Sequence, residues 1–372
     1  TSQVFYVLKD KLNIKQGDFI YKYKGKTQIQ GQFDQNIQVG EWKYFPNKNL
    51  VIEGNYKAGK KDGEWKYFQN NHLISVMNYK DGHLHGECLG YYENGKLASK
   101  LNYLNGKRNG TMISYFEDGS IKELTEYQNG VVHGKHQKYN NTGVLLFEVD
   151  YKNGVPYNLM VDSKINKESL FGGNLKNGNG EFVRYTKSNE ERIMVSKSNY
   201  VNGKLHGAFM LYNRKGELAI RGQYMDGYML GMWEFYINNP EKKHAKVFNN
   251  KDQLTTCPEL SNYMNYLESL FHSVSTMPKF DDGDSRNFQE HIILSMEYPK
   301  EAAKKGIEGR VLTRFKVNQC GMLTDFEILE GSHELLNKEA ERVIRTSPLW
   351  SPGFSDQIPV DVQYVFPIIF QL

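Results

Sequence analysis

Glycines recur in this chain at Gly40, Gly63, Gly86, Gly110 and Gly134, 23 or 24 residues apart, and again at Gly180, Gly207 and Gly231. Five residues after each stands an aromatic: Phe45, Phe68, Tyr91, Tyr115, Tyr139, Tyr185, Tyr212 and Tyr236. Seven residues before most of them stands another: Phe33, Tyr56, Tyr79, Tyr103, Tyr127, Tyr200 and Tyr224. A period of this length implies one supersecondary unit per repeat. Such a unit cannot bury its apolar face alone and must stack on its neighbours.

Between the glycines lie turn pairs such as Asp81-Gly82, Asn105-Gly106 and Asn202-Gly203. Each unit therefore reads as strand, turn, strand, turn, with about 7 to 8 residues per strand. The 45 Tyr and Phe, 34 Gly and only ten Pro suit a mostly β chain rich in turns. The expectation for residues 1–240 is a long antiparallel meander with equivalent aromatics stacked in rows. Gly17 with Phe19 and Tyr21 looks like a degenerate first unit. The phase slips around Asn158, and Lys187 to Met194 holds an insertion, so a bend or break is expected near residues 155–180. The glycine–aromatic spacing resembles MORN-type repeats, in the longer variant found in bacterial secreted and antitoxin-like proteins. That resemblance implies scaffolding, lipid contact or an immunity role and does not choose among them.

The tail has a different grammar. Val311, Thr313, Phe315 and Val317 alternate with Arg310, Leu312, Arg314 and Lys316, the period of a half-buried strand. Asn318-Gln319-Cys320-Gly321 is a turn, and a return strand carries Thr324, Phe326 and Ile328 on one face. Ser332 is a suitable N-cap for a helix through Arg345, with an apolar stripe of Leu336, Ala340, Val343 and Ile344. A last strand sets Val360, Val362, Tyr364, Phe366, Ile368 and Phe370 on one face. Pro367 lies within it, which predicts an edge strand or a bulge. Residues 279–372 thus read as a small α+β module of three strands with helix on one side.

The run Tyr298-Pro299, Ile307-Glu308-Gly309, Phe315-Lys316-Val317, Gly321, Asp325, Ile328-Leu329 and Trp350-Ser351-Pro352-Gly353 resembles the C-terminal domain of TonB-type energy transducers. The resemblance implies a periplasmic domain that binds a short extended peptide of an outer-membrane transporter by β-augmentation. The guest then pairs with the last strand, here Val360, Asp361, Val362, Gln363, Tyr364, Val365, Phe366 and onward to Leu372. A transducer also has an N-terminal membrane helix and a Pro-rich spacer, and this sequence contains neither. As it stands it could bind a transporter without transmitting energy to it. Membrane association is possible through a segment before Thr1.

Residues 241–278 read as a linker with an amphipathic helix opened by Pro258 and carrying Leu260, Tyr263, Leu267, Leu270, Phe271 and Val274. The net charge of +4 is uneven: residues 280–372 hold 10 Lys and Arg against 15 Asp and Glu, leaving +9 for residues 1–279. That excess is far weaker than a nucleic-acid-binding face requires, so no nucleic acid is expected as partner.

No site chemistry emerges. His85, His133 and His206 precede repeat glycines, but His85 and His133 are two units apart, roughly 19 Å at the usual strand spacing, too far to share an ion. Cys88, Cys257 and Cys320 are widely separated and form no CxxC. Neither a metal nor a cofactor is expected. Glu41, Glu64 and Glu87 repeat with the units and are lattice positions, not an acid–base pair. No nucleophile elbow or phosphate loop occurs, so no enzyme is expected. Trp42, Trp65 and Trp233 share one phase, two after the glycine, where packing is the leading reading. An exposed stripe of these rings is the alternative place for a ligand. The expected function is a non-catalytic cell-envelope protein, periplasmic or outer-membrane associated, whose terminal module binds a protein or extended peptide while the repeats act as scaffold. The alternative is immunity-like or membrane-surface binding by the repeats, with the module accessory.

Overall fold

A computed structural model of the chain describes residues 2–8, 11–161, 169–188, 191–213, 215–236, 243–248, 276–280, 285–355 and 357–372. The helix expected from Pro258 lies outside them. By compactness the chain divides into two units, residues 1–100 with 272–372, and residues 101–271.

In the first unit the expected meander is present. Strands Ser2–Leu8, Lys11–Tyr23, Lys26–Asp34, Ile37–Tyr44, Leu50–Lys57, Lys60–Gln69, His72–Lys80 and Gly86–Tyr91 follow one another, each bonded to the next. The turn pairs act as the sequence predicts. Asp81 and Gly82 both take positive φ, 52° and 84°, the conformation of a tight hairpin turn that matches the strand twist.

The two faces of this sheet differ. Along Leu50–Lys57 the residues alternate, with Leu50, Ile52, Gly54 and Tyr56 buried. The opposite face is polar, crossed by Lys43 to Glu53 at 3.0 Å and Lys66 to Glu64 at 3.1 Å. Such exposed pairs contribute about 0–1 kcal/mol each, so the aromatic face carries most of the stability. On that face Trp42, Tyr44, Trp65 and Tyr67 are no more than 2 % exposed. Each indole packs onto a glycine eleven residues earlier. A Cβ on Gly31 would stand 2.2 Å from the Trp42 ring, and one on Gly54 2.4 Å from Trp65. Where the tryptophan is replaced by Cys88, the residue eleven before is Met77, and both are fully buried. A large ring over a bare glycine in two successive repeats gives way to a small side chain over a medium one in the next, so volume is exchanged between the paired positions.

The C-terminal module has strands Gly309–Val317, Leu323–Glu330 and Val362–Phe370, with helices Ser285–Ser295, Lys300–Lys304 and Glu334–Arg345. The stripe Leu336, Ala340, Val343 and Ile344 is buried against Val311, Phe315 and Val317, with Phe288 and Trp350 completing the core. Glu339 ties the helices together, receiving Arg342 through two hydrogen bonds of 2.7 and 2.8 Å and the Glu297 N–H at 2.6 Å. The helix cap corrects the sequence reading. His333, not Ser332, is the N-cap, its Nδ1 accepting the Leu335 N–H at 3.1 Å.

In the second unit the meander runs through Gly110–Tyr115, Ile121–Gln128, Val131–Tyr139, Leu145–Lys152 and Val155–Val161. A second sheet begins at Phe171–Gly173 and ends at Lys243–Phe248. The ladder is interrupted where the repeat phase slips. A shared core of Phe147, Val149, Tyr151, Phe171 and Phe182 spans the interruption.

Candidate functional site: an open sheet edge

The terminal sheet has the order Leu323–Glu330, Gly309–Val317, Val362–Phe370, so both outer strands are edges among the described residues. The two edges are built differently. Leu323–Glu330 meets the central strand with two breaks in register, and Asp325 within it takes a positive φ of 51°. Bulges of this kind twist an edge away from further pairing. Its exposed face is acidic, and two of its carboxylates are engaged: Asp325 receives Lys316 at 2.8 Å and Glu327 receives Arg314.

Val362–Phe370, in contrast, runs against the central strand in unbroken register from Val317↔Val362 to Gly309↔Phe370. Its inward side chains are locked. Tyr364 stacks on Phe315 at 5.8 Å and donates its hydroxyl to the Pro278 carbonyl at 3.2 Å. Phe366 meets Phe288 at 5.0 Å, and Ile368 and Phe370 are buried. Burial raises the Tyr364 phenol pKa, so it remains a neutral donor.

One hydrogen bond sets the direction of the backbone groups. Thr313 Oγ1 donates to the Phe366 carbonyl at 2.8 Å, so that carbonyl faces the central strand. In an antiparallel ladder the N–H and C=O of one residue point to the same side and successive residues alternate. Val362, Tyr364 and Phe366 therefore spend their backbone groups inside the sheet. Gln363, Val365 and Ile369 turn theirs to the open edge, and Pro367 turns out a carbonyl alone. The proline sits where its missing N–H costs the ladder nothing. The same outward residues carry exposed side chains, Val365 at 52 % and Ile369 at 66 %.

The expected edge ran from Val360, and the structure shortens it. Val360 pairs with Gly353 in a separate hairpin. Asp361 interrupts the run, its carboxylate accepting the Gln319 N–H at 3.2 Å. Neither residue belongs to the edge strand; Val362, Gln363, Tyr364, Val365 and Phe366 do.

The repeat aromatics are elsewhere and do not form a ligand stripe. Trp42, Trp65 and Trp233 are sealed in the sheet, and the Trp65 and Trp233 indole N–H groups are spent at 3.2 Å on the carbonyls of Asn55 and Gln223. Sequence reasoning passed over Lys61, whose amine lies 4.1 Å from the Trp65 ring centre and 4.7 Å from that of Tyr79. Its phase was the available signal, since Lys15 and Arg108 stand equally two before a repeat glycine and also lie over aromatic rings.

In the second unit a shallow depression is lined by Glu126, His133, Lys135, Asp150, Lys152 and Tyr157. Its charges are internally engaged: Lys135 binds Glu148, and Lys152 lies 3.5 Å from the Tyr157 ring centre. Among the described residues no cluster of His, Cys, Asp and Glu could hold a metal ion. No described helix is long and apolar enough to cross a membrane.

Two family models match this chain. Residues 295–372 match the one described as Gram-negative bacterial TonB protein C-terminal. Residues 38–58, 84–105, 108–129 and 132–153 match the MORN repeat variant. No curated protein matches the chain. The tail is thus similar to TonB C-terminal domains and the array to variant MORN repeats, which supports an envelope-associated role in protein interaction.

Proposed function

We propose that this chain is a non-catalytic protein of the bacterial envelope, periplasmic or outer-membrane associated, that captures an extended segment of a protein partner. The guest adds as a further strand along Val362–Phe370, bonding to the outward amides and carbonyls of Gln363 and Val365. Main-chain pairing supplies the affinity, and the exposed side chains of Val365 and Ile369 meet the guest's side chains. The observation that carries the reading is the asymmetry of the two edges, one bulged and acidic, the other regular, apolar and open. The similarity to TonB C-terminal domains makes a short extended segment of an outer-membrane transporter the first guest to test.

The test is a titration of the full chain with synthetic extended peptides from such segments, beside the Gln363→Pro variant. Proline removes one outward N–H and crowds the incoming strand. Affinity should fall about tenfold or more, the loss of a charge-free hydrogen bond together with a steric clash. Equal affinity for the two proteins would reject capture at this edge.

A further inference from the structure

We propose that the first hundred residues are a built-in receptor for the chain's own C-terminal module, so that the aromatic face of these repeats serves an internal partner and not an external ligand. The proposal is independent of what the module captures.

An antiparallel sheet with one aromatic face has to cover that face. The strands Ile37–Tyr44, Lys60–Gln69 and His72–Lys80 supply the aromatic side, and Tyr44 and Tyr67 on it are 1 % and 0 % exposed. The groups that meet it come from one end of the module, the turn at Asn318–Gly321 and the segment Leu349–Val360. Phe354 sets its ring edge-on to Tyr67, 6.4 Å between centres at 84°. Cys320, fully buried, has its sulfur 3.1 Å from the Lys61 amine. Gln319 is bonded to the Tyr79 hydroxyl. At the rim, Asn47 Nδ2 donates to Ser351 Oγ at 2.7 Å, and the Leu349 N–H donates to Gln28 Oε1 at 3.1 Å.

This joint has the composition of a permanent contact. Its centre is apolar and aromatic, its rim is hydrogen-bonded, and the amine at its heart is held over two rings and beside a thiol. Gln28, Asn47, Lys61, Tyr67 and Tyr79, from successive repeats, converge on one turn and on Leu349, Ser351 and Phe354. None of these contacts uses a backbone group of Gln363, Val365 or Ile369, so the docked module keeps the outward groups of its last strand. The short hairpin Gly353–Val360 is joined to that strand through Asp361 alone. The repeats therefore hold the module by its turn end and fix the direction in which the open edge points.

Cys320 reports on the joint without any added probe. The full chain is treated with a maleimide and the modified cysteine located by mass spectrometry. Cys320 should label slowly in the unaltered chain and about tenfold faster, or more, in Phe354→Ser, because the opened state becomes populated. If Phe354→Ser fails to fold, Gln28→Ala combined with Asn47→Ala decides, since it alters the rim alone and should also raise labelling. Equal rates in unaltered chain and folded variant overturn the proposal. So does protection of the unaltered chain that fades on dilution, because a second copy would then be supplying the cover.

Discussion

Trp65 packs its indole against the bare Cα of Gly54, so closely that a Cβ there would stand 2.4 Å from the ring. Gly54 is opposite Trp42 on the preceding strand, which places one glycine between two tryptophans. The same pairing recurs at Gly31 with Trp42 and at Gly222 with Trp233.

Gly54→Ala should therefore destabilise the first unit by about 1–3 kcal/mol, the usual cost of overpacking. Trp65→Cys should cost about 3–5 kcal/mol by leaving a cavity. The double variant should cost clearly less than the sum, because the added methyl enters space that the indole vacated. Denaturant unfolding of the four proteins measures the coupling, and strict additivity would contradict the packing described.

Two prolines one residue apart separate the open edge from the ladder. Gln363→Pro removes an outward N–H, and the melting midpoint should stay within a few degrees, about 1 kcal/mol or less. Tyr364→Pro removes an inward N–H and should cost about 3 kcal/mol or more. Equal effects would mean that the backbone direction set by Thr313 and Phe366 is wrong.

Tyr67 is fully buried, and its hydroxyl finds no hydrogen-bond partner among the described residues. Tyr67→Phe should leave the joint with the module intact and the chain unchanged or more stable by up to about 1–2 kcal/mol, since an unpaired buried hydroxyl is a cost. A thermal melt with Cys320 labelling checks both points.

The second unit carries an acid-sensitive pair. Burial by itself would raise the Glu123 pKa, but the hydrogen bond and charge of His136, at 2.8 Å, and the charges of Lys138 and Lys122 hold it down at about 2. The folded value lies below the ordinary 4.5. Its contribution is therefore fully present above about pH 4.5 and is lost as the pH falls toward 2. Partial exposure of the carboxylate reduces the effect to about 1–2 kcal/mol. Glu123→Gln should flatten the acid limb of the second unit's stability curve, read by denaturant unfolding across that range.

Much of the fold was legible because turns and core announce themselves locally. A glycine of positive φ and an aromatic at fixed distance define each repeat, and Asp81-Gly82 and Asn105-Gly106 place its hairpins. The alternation at Val311 to Val317 and the stripe from Leu336 to Ile344 placed the module's central strand and long helix. The eleven-residue offset from Gly54 to Trp65 was also in the sequence, but its meaning depends on which strands pair. Other features needed three dimensions. Val360-Asp361-Val362 continues the alternation of a strand, and only the pairing of Val360 with Gly353 and the bond from Gln319 to Asp361 show that the strand begins afterwards. A ring nitrogen of His333 took the capping role that Ser332 was suited to by type. The joint between Phe354 and Tyr67 joins residues nearly three hundred apart, and no periodicity records such a contact. The bulges that distinguish one sheet edge from the other arise from pairing, not composition.

Residue-resolved hydrogen exchange of the last strand, with and without a transporter-derived peptide, tests capture most directly. In the free chain the amides of Gln363 and Val365 should exchange rapidly while those of Val362, Tyr364 and Phe366 are slow. Added peptide should slow the first pair and leave the others as they were. Gln363 and Val365 amides already slow without peptide, or still fast when peptide is bound, would contradict strand addition at this edge.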